Sequence, residues 1–303
     1  MGRCIRLETN SAAILDHLQQ LCSVYPKVSC DQPQFRWRLI CEPNPAQTSL
    51  SLTRFAFSDA NLRFAEFEQR SFLAVDLHAR HAVAFLTEEL VRDKLCLTIP
   101  FLDTLFCMTA ASLGFVSLFA NCVEVDGKGI LLLGPPRSGK TTASYLATKL
   151  GMRLHADEGV FLELNNDTLS AWSGFWPMVF RKDAQQFFPE LQSLAQSFFY
   201  HDFAFYHLEK SQFQSPHANA VTPLCCIFLD REASSGVRLS QLTSCQLKDR
   251  LSQSLLFDED EQFHPQQTAA LNLLSNVPGY DISYGSDPAV VVSVIARLHR
   301  ALT

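Results

Sequence analysis

A chain of 303 residues that is 47% hydrophobic and 18% charged has the makeup of a globular protein, long enough for one large domain or two small ones, and this excludes a disordered chain. Its net charge of −6, with no run of lysine or arginine, gives nucleic acid no electrostatic footing, so no nucleic-acid partner is expected. Ten scattered cysteines without a C-x-x-C pair argue against a zinc site or a disulfide framework and fit reduced thiols in a cytoplasmic protein.

At the N-terminus Arg3, Arg6 and Glu8 interrupt any apolar run, so no signal peptide is expected. Ser11 can cap a helix reaching Leu21, with Ile14, Leu18 and Leu21 on one face. Alternation then predicts strands over 34–42, 49–57, 62–67, 71–76 and 81–86, the last two joined across His78 to Arg80. Residues 1–98 thus read as a small, mostly antiparallel β-rich region without a catalytic constellation; His78 and His81 lack a third ligand nearby and read as turn residues.

Pro100 marks a break, after which Phe101 to Leu113 reads as a helix. Thr104 to Val123 carries no charge and is long enough to span a bilayer. It also holds Thr109, Ser112, Gly114, Ser117 and Asn121 and runs straight into the next strand. A buried helix ending at Gly114, then a buried strand, is expected, with no membrane contact. Val116–Val125 and Lys128–Leu133 read as a hairpin across Asp126 and Gly127, a favoured turn pair.

The second strand leads into Gly134, Pro135, Pro136, Arg137, Ser138, Gly139, Lys140, Thr141 and Thr142, which meets the phosphate-binding pattern G-x-x-x-x-G-K-[ST]. The glycines let the backbone turn and approach phosphate oxygens, and loop N–H groups with the following helix N-terminus face the anion. Lys140 is placed for the β- and γ-phosphates and the Thr141 hydroxyl for Mg²⁺. Ala143, Leu146, Ala147 and Leu150 continue at helical spacing and Gly151 ends the helix.

A short strand next delivers Asp157 and Glu158, adjacent acids where a metal-bound nucleotide needs a ligand and a base. A hairpin follows through Asn165 to Asp167. The aromatics of 171–180 suit a purine or, more plainly, a core, and Arg181 and Lys182 could neutralise transferring phosphate or stand on the surface. Ala184 to Lys210 reads as helical. Val221 to Asp230 reads as a buried strand, and its terminal Asp230 is the rival magnesium ligand to Asp157 and Glu158. Helices are expected over 244–256 and 266–274, and after Asp287-Pro288 a terminal helix with Val291, Val294, Ile295, Leu298 and Leu302 on one face.

The order of hairpin, P-loop, helix and then Leu154-His-Ala-Asp157-Glu158, with Asp157 placed 17 residues after Lys140, resembles the C-terminal kinase domain of HPr kinase/phosphorylase and its small relatives beside peptide-modification genes. That family shares its nucleotide site with phosphoenolpyruvate carboxykinase. The likeness centres on about 115–182 and implies an α/β P-loop core with a mixed or antiparallel sheet over 99–303. It further implies ATP and Mg²⁺ as cofactors, transfer of phosphate to a serine of a protein or peptide partner, and self-association. By position Asp157 would be the base, Lys140 would neutralise the transferring phosphoryl group, and Thr141 with Glu158, or with Asp157 should the two acids exchange jobs, would hold the metal; Arg181 joins the catalytic candidates by its charge rather than by the resemblance. Where the family has a histidine in the strand before the P-loop, this chain has Phe119, which cannot relay a proton. An accessory nucleotide-binding protein without catalysis, or a small-molecule kinase, are the alternatives.

Overall fold

The computed structural model describes residues 1–23, 30–43, 54–57, 61–67, 71–174, 177–194, 196–200, 203–208, 220–232, 236–257, 260–285 and 287–302. The chain divides into two compact units, Met1–Phe115 and Val116–Thr303.

In the first unit, β1 (Ile5–Thr9), α1 (Ala12–Cys22), β2 (Phe35–Glu42), β3 (Arg54–Phe57), β4 (Leu62–Phe67), β5 (Ser71–Asp76) and β6 (His81–Thr87) build one sheet and the helix that crosses between its first two strands. The sheet order is β1-β2-β6-β5-β4-β3. The expected strands appear, although 49–53 lie outside the described residues. The pairing is more mixed than the sequence suggested: β1, β2 and β6 run parallel, and only the β6-β5-β4-β3 half is antiparallel. β1 escaped the sequence pattern because its five residues do not alternate cleanly. Along β2, alternation puts Phe35, Trp37 and Leu39 in the core and leaves Arg36 and Arg38 outside.

After α2 (Glu88–Arg92) and α3 (Lys94–Cys96), a loosely wound turn leads into α4 (Asp103–Ser112). The stretch Lys94–Ser112 is long and apolar enough to cross a membrane by composition, yet 56% of its most apolar 18-residue window is buried within the protein. It is also broken at Ile99, held extended at φ −120° and ψ 117° because the following Pro100 disfavours the helical region. Thr104 to Val123 is divided between α4 and two strands rather than forming one helix. Trp37 donates to the Thr109 hydroxyl at 2.9 Å and Phe101 packs edge-on to Phe67 at 5.1 Å. These contacts carry the first unit to Phe115, beyond the boundary at residue 98 drawn from sequence. Cys4 and Cys30 form a disulfide, a correction to the expectation that every thiol is reduced.

The second unit is mixed α/β. Its strands are β7 (Val116–Leu118), β8 (Asn121–Val125), β9 (Lys128–Leu133), β10 (Arg153–Ala156), β11 (Val160–Asn165), β12 (Thr168–Ser173), β13 (Met178–Arg181), β14 (Gln196–Tyr200), β15 (Phe203–Leu208), β16 (Thr222–Arg231), β17 (Arg238–Leu242) and β18 (Gly279–Tyr284). Its helices are α5 (Lys140–Lys149), α6 (Leu191–Leu194), α7 (Ser244–Ser252), α8 (His264–Leu274) and α9 (Ala289–Leu302). The main sheet runs β10-β8-β9-β16-β18-β17, with β9, β16 and β18 parallel. Two three-stranded sheets, β12-β11-β7 and β13-β15-β14, complete the unit.

Both faces of the central strands are covered, so they read as continuous apolar runs. Ile130, Leu132, Cys225 and Ile227 meet Ala143 and Ala147 of α5 and Val291 and Ile295 of α9. On the other face Leu131, Leu133, Cys226 and Phe228 meet Leu247, Leu251 and Leu274 of α7 and α8.

Two expectations are corrected. Val116–Val125 is not one strand: it breaks at Phe119 and Ala120, where the Phe119 N–H turns to the Ser254 carbonyl at 2.7 Å, and β7 and β8 join different sheets. The helix expected over Ala184 to Lys210 does not form: among the described residues of that stretch a short 3₁₀ turn and α6 are followed by the β14–β15 pair. The run from Phe198 to Tyr206 is rich in aromatics, which suit a pleated surface better than a helix.

Candidate active site

β9 ends at the buried Leu133 and the loop of 134–139 starts on strained ground that only glycine relieves. Gly134 has φ +132°, and a Cβ there would lie 2.4 Å from the Leu229 carbonyl oxygen. Gly139, at φ +94°, begins α5; a Cβ there would lie 1.9 Å from the Tyr284 hydroxyl. That hydroxyl donates to the Ser138 carbonyl at 2.7 Å, bracing the loop from β18. No side chain caps α5, so its first N–H groups keep their capacity to bind an anion. The Ser138 hydroxyl is buried with no hydrogen-bond partner, an unspent polar group inside the loop. Pro135, Pro136 and Arg137 form its exposed rim, and Thr142 follows Thr141 in the first turn of α5.

Lys140 folds back over the loop. Its ammonium donates to the Gly134 carbonyl at 2.8 Å and the Pro135 carbonyl at 3.3 Å, and lies 4.3 Å from the centre of the Phe119 ring. Burial lowers its pKa, opposed by the charges of Glu158 and Asp157. Phe119 therefore does not leave an inert gap: its ring face seats the cation.

The adjacent acids stand across from this lysine. Asp157 is 3% exposed and accepts from the Asn121 amide and from the Val179 N–H at 3.4 Å, with the Thr141 hydroxyl as a third nearby donor. Burial, then the neighbouring Glu158 charge, push its carboxyl up to about 8, against the pull of those three donors. Glu158 is open to solvent at one end, yet the packed walls around it still raise its carboxyl, with Lys140 opposing. Its backbone sits at φ +60° in a three-residue turn closed by the Gly159 N–H on the Asp157 carbonyl at 2.7 Å. A positive φ of this kind is rare outside glycine.

The site thus gathers Gly134, Ser138, Gly139, Lys140, Thr141, Asp157 and Glu158. Arg181 lies two residues along β13 from Val179, on the same side of the strand, with its guanidinium 3.9 Å from Asp183. Asp230 is exposed near the end of β16, beside the strand that feeds the loop. Two residues escaped the sequence pattern. Tyr284 was hidden as an ordinary strand aromatic, and Asn121 carried one faint signal, an amide in an otherwise apolar buried run. Phe175 and Trp176 lie outside the described residues.

The donors around Thr141 are hard oxygens, the set Mg²⁺ takes. Among the described residues no cluster of three or more His, Cys, Asp or Glu could hold a metal alone.

No protein-family model matches the chain, and no curated protein is detectably similar to it. Among solved structures, the HPr(Ser) kinase/phosphatase from Coxiella burnetii superimposes with a TM-score of 0.32 and 13% identity, covering 61% of this chain and 96% of that one. A superposition this loose shows neither a shared fold nor a shared activity.

Proposed function

We propose that the second unit binds ATP with Mg²⁺ and transfers the γ-phosphoryl group to a serine hydroxyl of a protein or peptide. The observation that carries this reading is the buried Asp157 carboxyl, held by the Asn121 amide and the Val179 N–H and lying within electrostatic reach of Lys140 at the head of α5. Backbone N–H groups of 134–142 would cradle the phosphates, and Lys140 would leave the loop carbonyls for phosphate oxygens. Thr141 and Glu158 would hold the ion, which supplies charge neutralisation between the phosphates. An Asp157 carboxylate would take the serine proton, and its raised pKa suits a base working near neutral pH. Arg181 would steady the transferring group if substrate draws it from Asp183.

The Phe119 ring under Lys140 favours a second reading, a nucleotide-binding accessory protein that does no chemistry. ATP turnover with and without serine-bearing peptides separates the two. Acceptor-dependent ADP formation lost in Asp157→Asn supports the kinase; Mg-ATP binding with no transfer to any acceptor, unaffected by Asp157→Asn, supports the accessory role.

A further inference from the structure

Asn121 opens β8 and is completely buried. Its amide touches three things at once. The nitrogen donates to the Ser144 hydroxyl on α5 at 3.1 Å and to the Asp157 carboxylate, and the oxygen accepts the Glu158 N–H at 3.0 Å. The Glu158 N–H fixes which end of the amide is oxygen, since only a carbonyl can accept there.

We infer that Asn121 is the positioning residue for the acid pair, setting both the Asp157 carboxylate and the Glu158 turn against the P-loop helix; this rests on the nucleotide reading above. The turn at Glu158 is strained, and strain persists only where its surroundings over-determine it. Its own closing bond, Gly159 N–H to Asp157 carbonyl, does not say where the turn points. The Asn121 oxygen does, by tying the Glu158 backbone to β8. The Asn121 nitrogen meanwhile links Asp157 to Ser144, one helical turn after Thr141 and Lys140 on α5. One amide thus fixes the distance between the carboxylates and the phosphate-binding helix. Ser144 is itself fully buried, so the anchor has little room to drift.

Asn121→Asp keeps an acceptor for the Glu158 N–H but replaces the donor to Asp157 with a repelling oxygen. Residues that orient metal-binding groups typically cost about 10–100-fold in metal affinity when changed. The expected result is a half-saturating Mg²⁺ concentration, at fixed ATP, raised by about that factor, with metal-free ATP affinity measured in EDTA kept within about threefold. Amide exchange supplies a second readout that needs no nucleotide. In Asn121→Asp and Asn121→Ala the Glu158 and Val179 amides should exchange at least about tenfold faster, while those of Leu131 and Cys226 hold. A residue that only supports the fold would move all amides, and both affinities, together. Unmoved Glu158 and Val179 amides, or parallel loss of both affinities, would overturn the assignment. If even the parent chain takes up no ATP, the nucleotide reading fails, and the exchange data alone decide whether Asn121 orders the acids.

Discussion

Replacing Gly139 with alanine should destabilise the second unit by roughly 3–5 kcal/mol, through two separable costs. The first is backbone: Gly139 holds φ +94°, where a Cβ costs about 1–2 kcal/mol. The second is packing, because that Cβ would stand 1.9 Å from the Tyr284 hydroxyl. Tyr284 is 2% exposed and cannot swing into solvent, so pushing it aside strains the core by about 1–3 kcal/mol and weakens its bond to Ser138, worth about 0.5–1.5 kcal/mol. Tyr284→Phe alone loses that bond, at about 1 kcal/mol, but it also clears the obstacle. In that background the nearest ring carbon is 3.2 Å away, and alanine should cost little more than its backbone term. The two substitutions should therefore couple favourably by about 1–3 kcal/mol. Hydrogen exchange of β9 and β16 amides under increasing urea measures opening of this unit without reporting on the first. Additivity of the two changes within about 0.5 kcal/mol would show that the hydroxyl does not confine Gly139, and would refute the packing argument.

Two further outcomes follow from the electrostatics of the site. Asp157 is raised from 3.8 to about 8 in the folded chain, so the folded state holds its proton over a range where the unfolded state has lost it. Its contribution is fully present below pH 3.8 and is lost as pH rises through about 8, giving nucleotide-free protein a slope of up to about 1.4 kcal/mol per pH unit. Denaturant midpoints from pH 5 to 8 should fall more steeply for the parent than for Asp157→Asn; equal slopes would mean that Asp157 ionises normally. Phe119→Leu should cost about 0.5–2 kcal/mol more beside Lys140 than in a Lys140→Met background, the difference being the cation on the ring. A null coupling in that cycle would leave Phe119 as ordinary packing.

The glycine spacing, the apolar feeding strand and the helical run from Ala143 make the loop and its flanking elements legible in the sequence, because each depends on local backbone chemistry. The β8–β9 hairpin is equally plain, since Asp126 and Gly127 take positive φ of 51° and 76° as that turn demands. What stays hidden depends on contacts distant in sequence. Tyr284 reaches Ser138 across 146 residues and Asn121 reaches Asp157 across 36, and no spacing rule reports such pairs. The β14–β15 pair reads as helix when apolar spacing is followed and the strand preference of its aromatics is passed over, and pairing with β13 fixes it as sheet. In the first unit the parallel half of the sheet is illegible for the same reason: parallel partners are set by a crossover, not by a turn.

The most direct test is calorimetric titration of Mg-ATP into the parent chain and into Lys140→Ala. A P-loop whose ammonium is freed to meet phosphate predicts saturable uptake by the parent and an affinity lower by at least about tenfold in the variant, or about 1.4 kcal/mol. Absence of uptake, or isotherms that coincide for the two proteins, would contradict nucleotide binding at this loop.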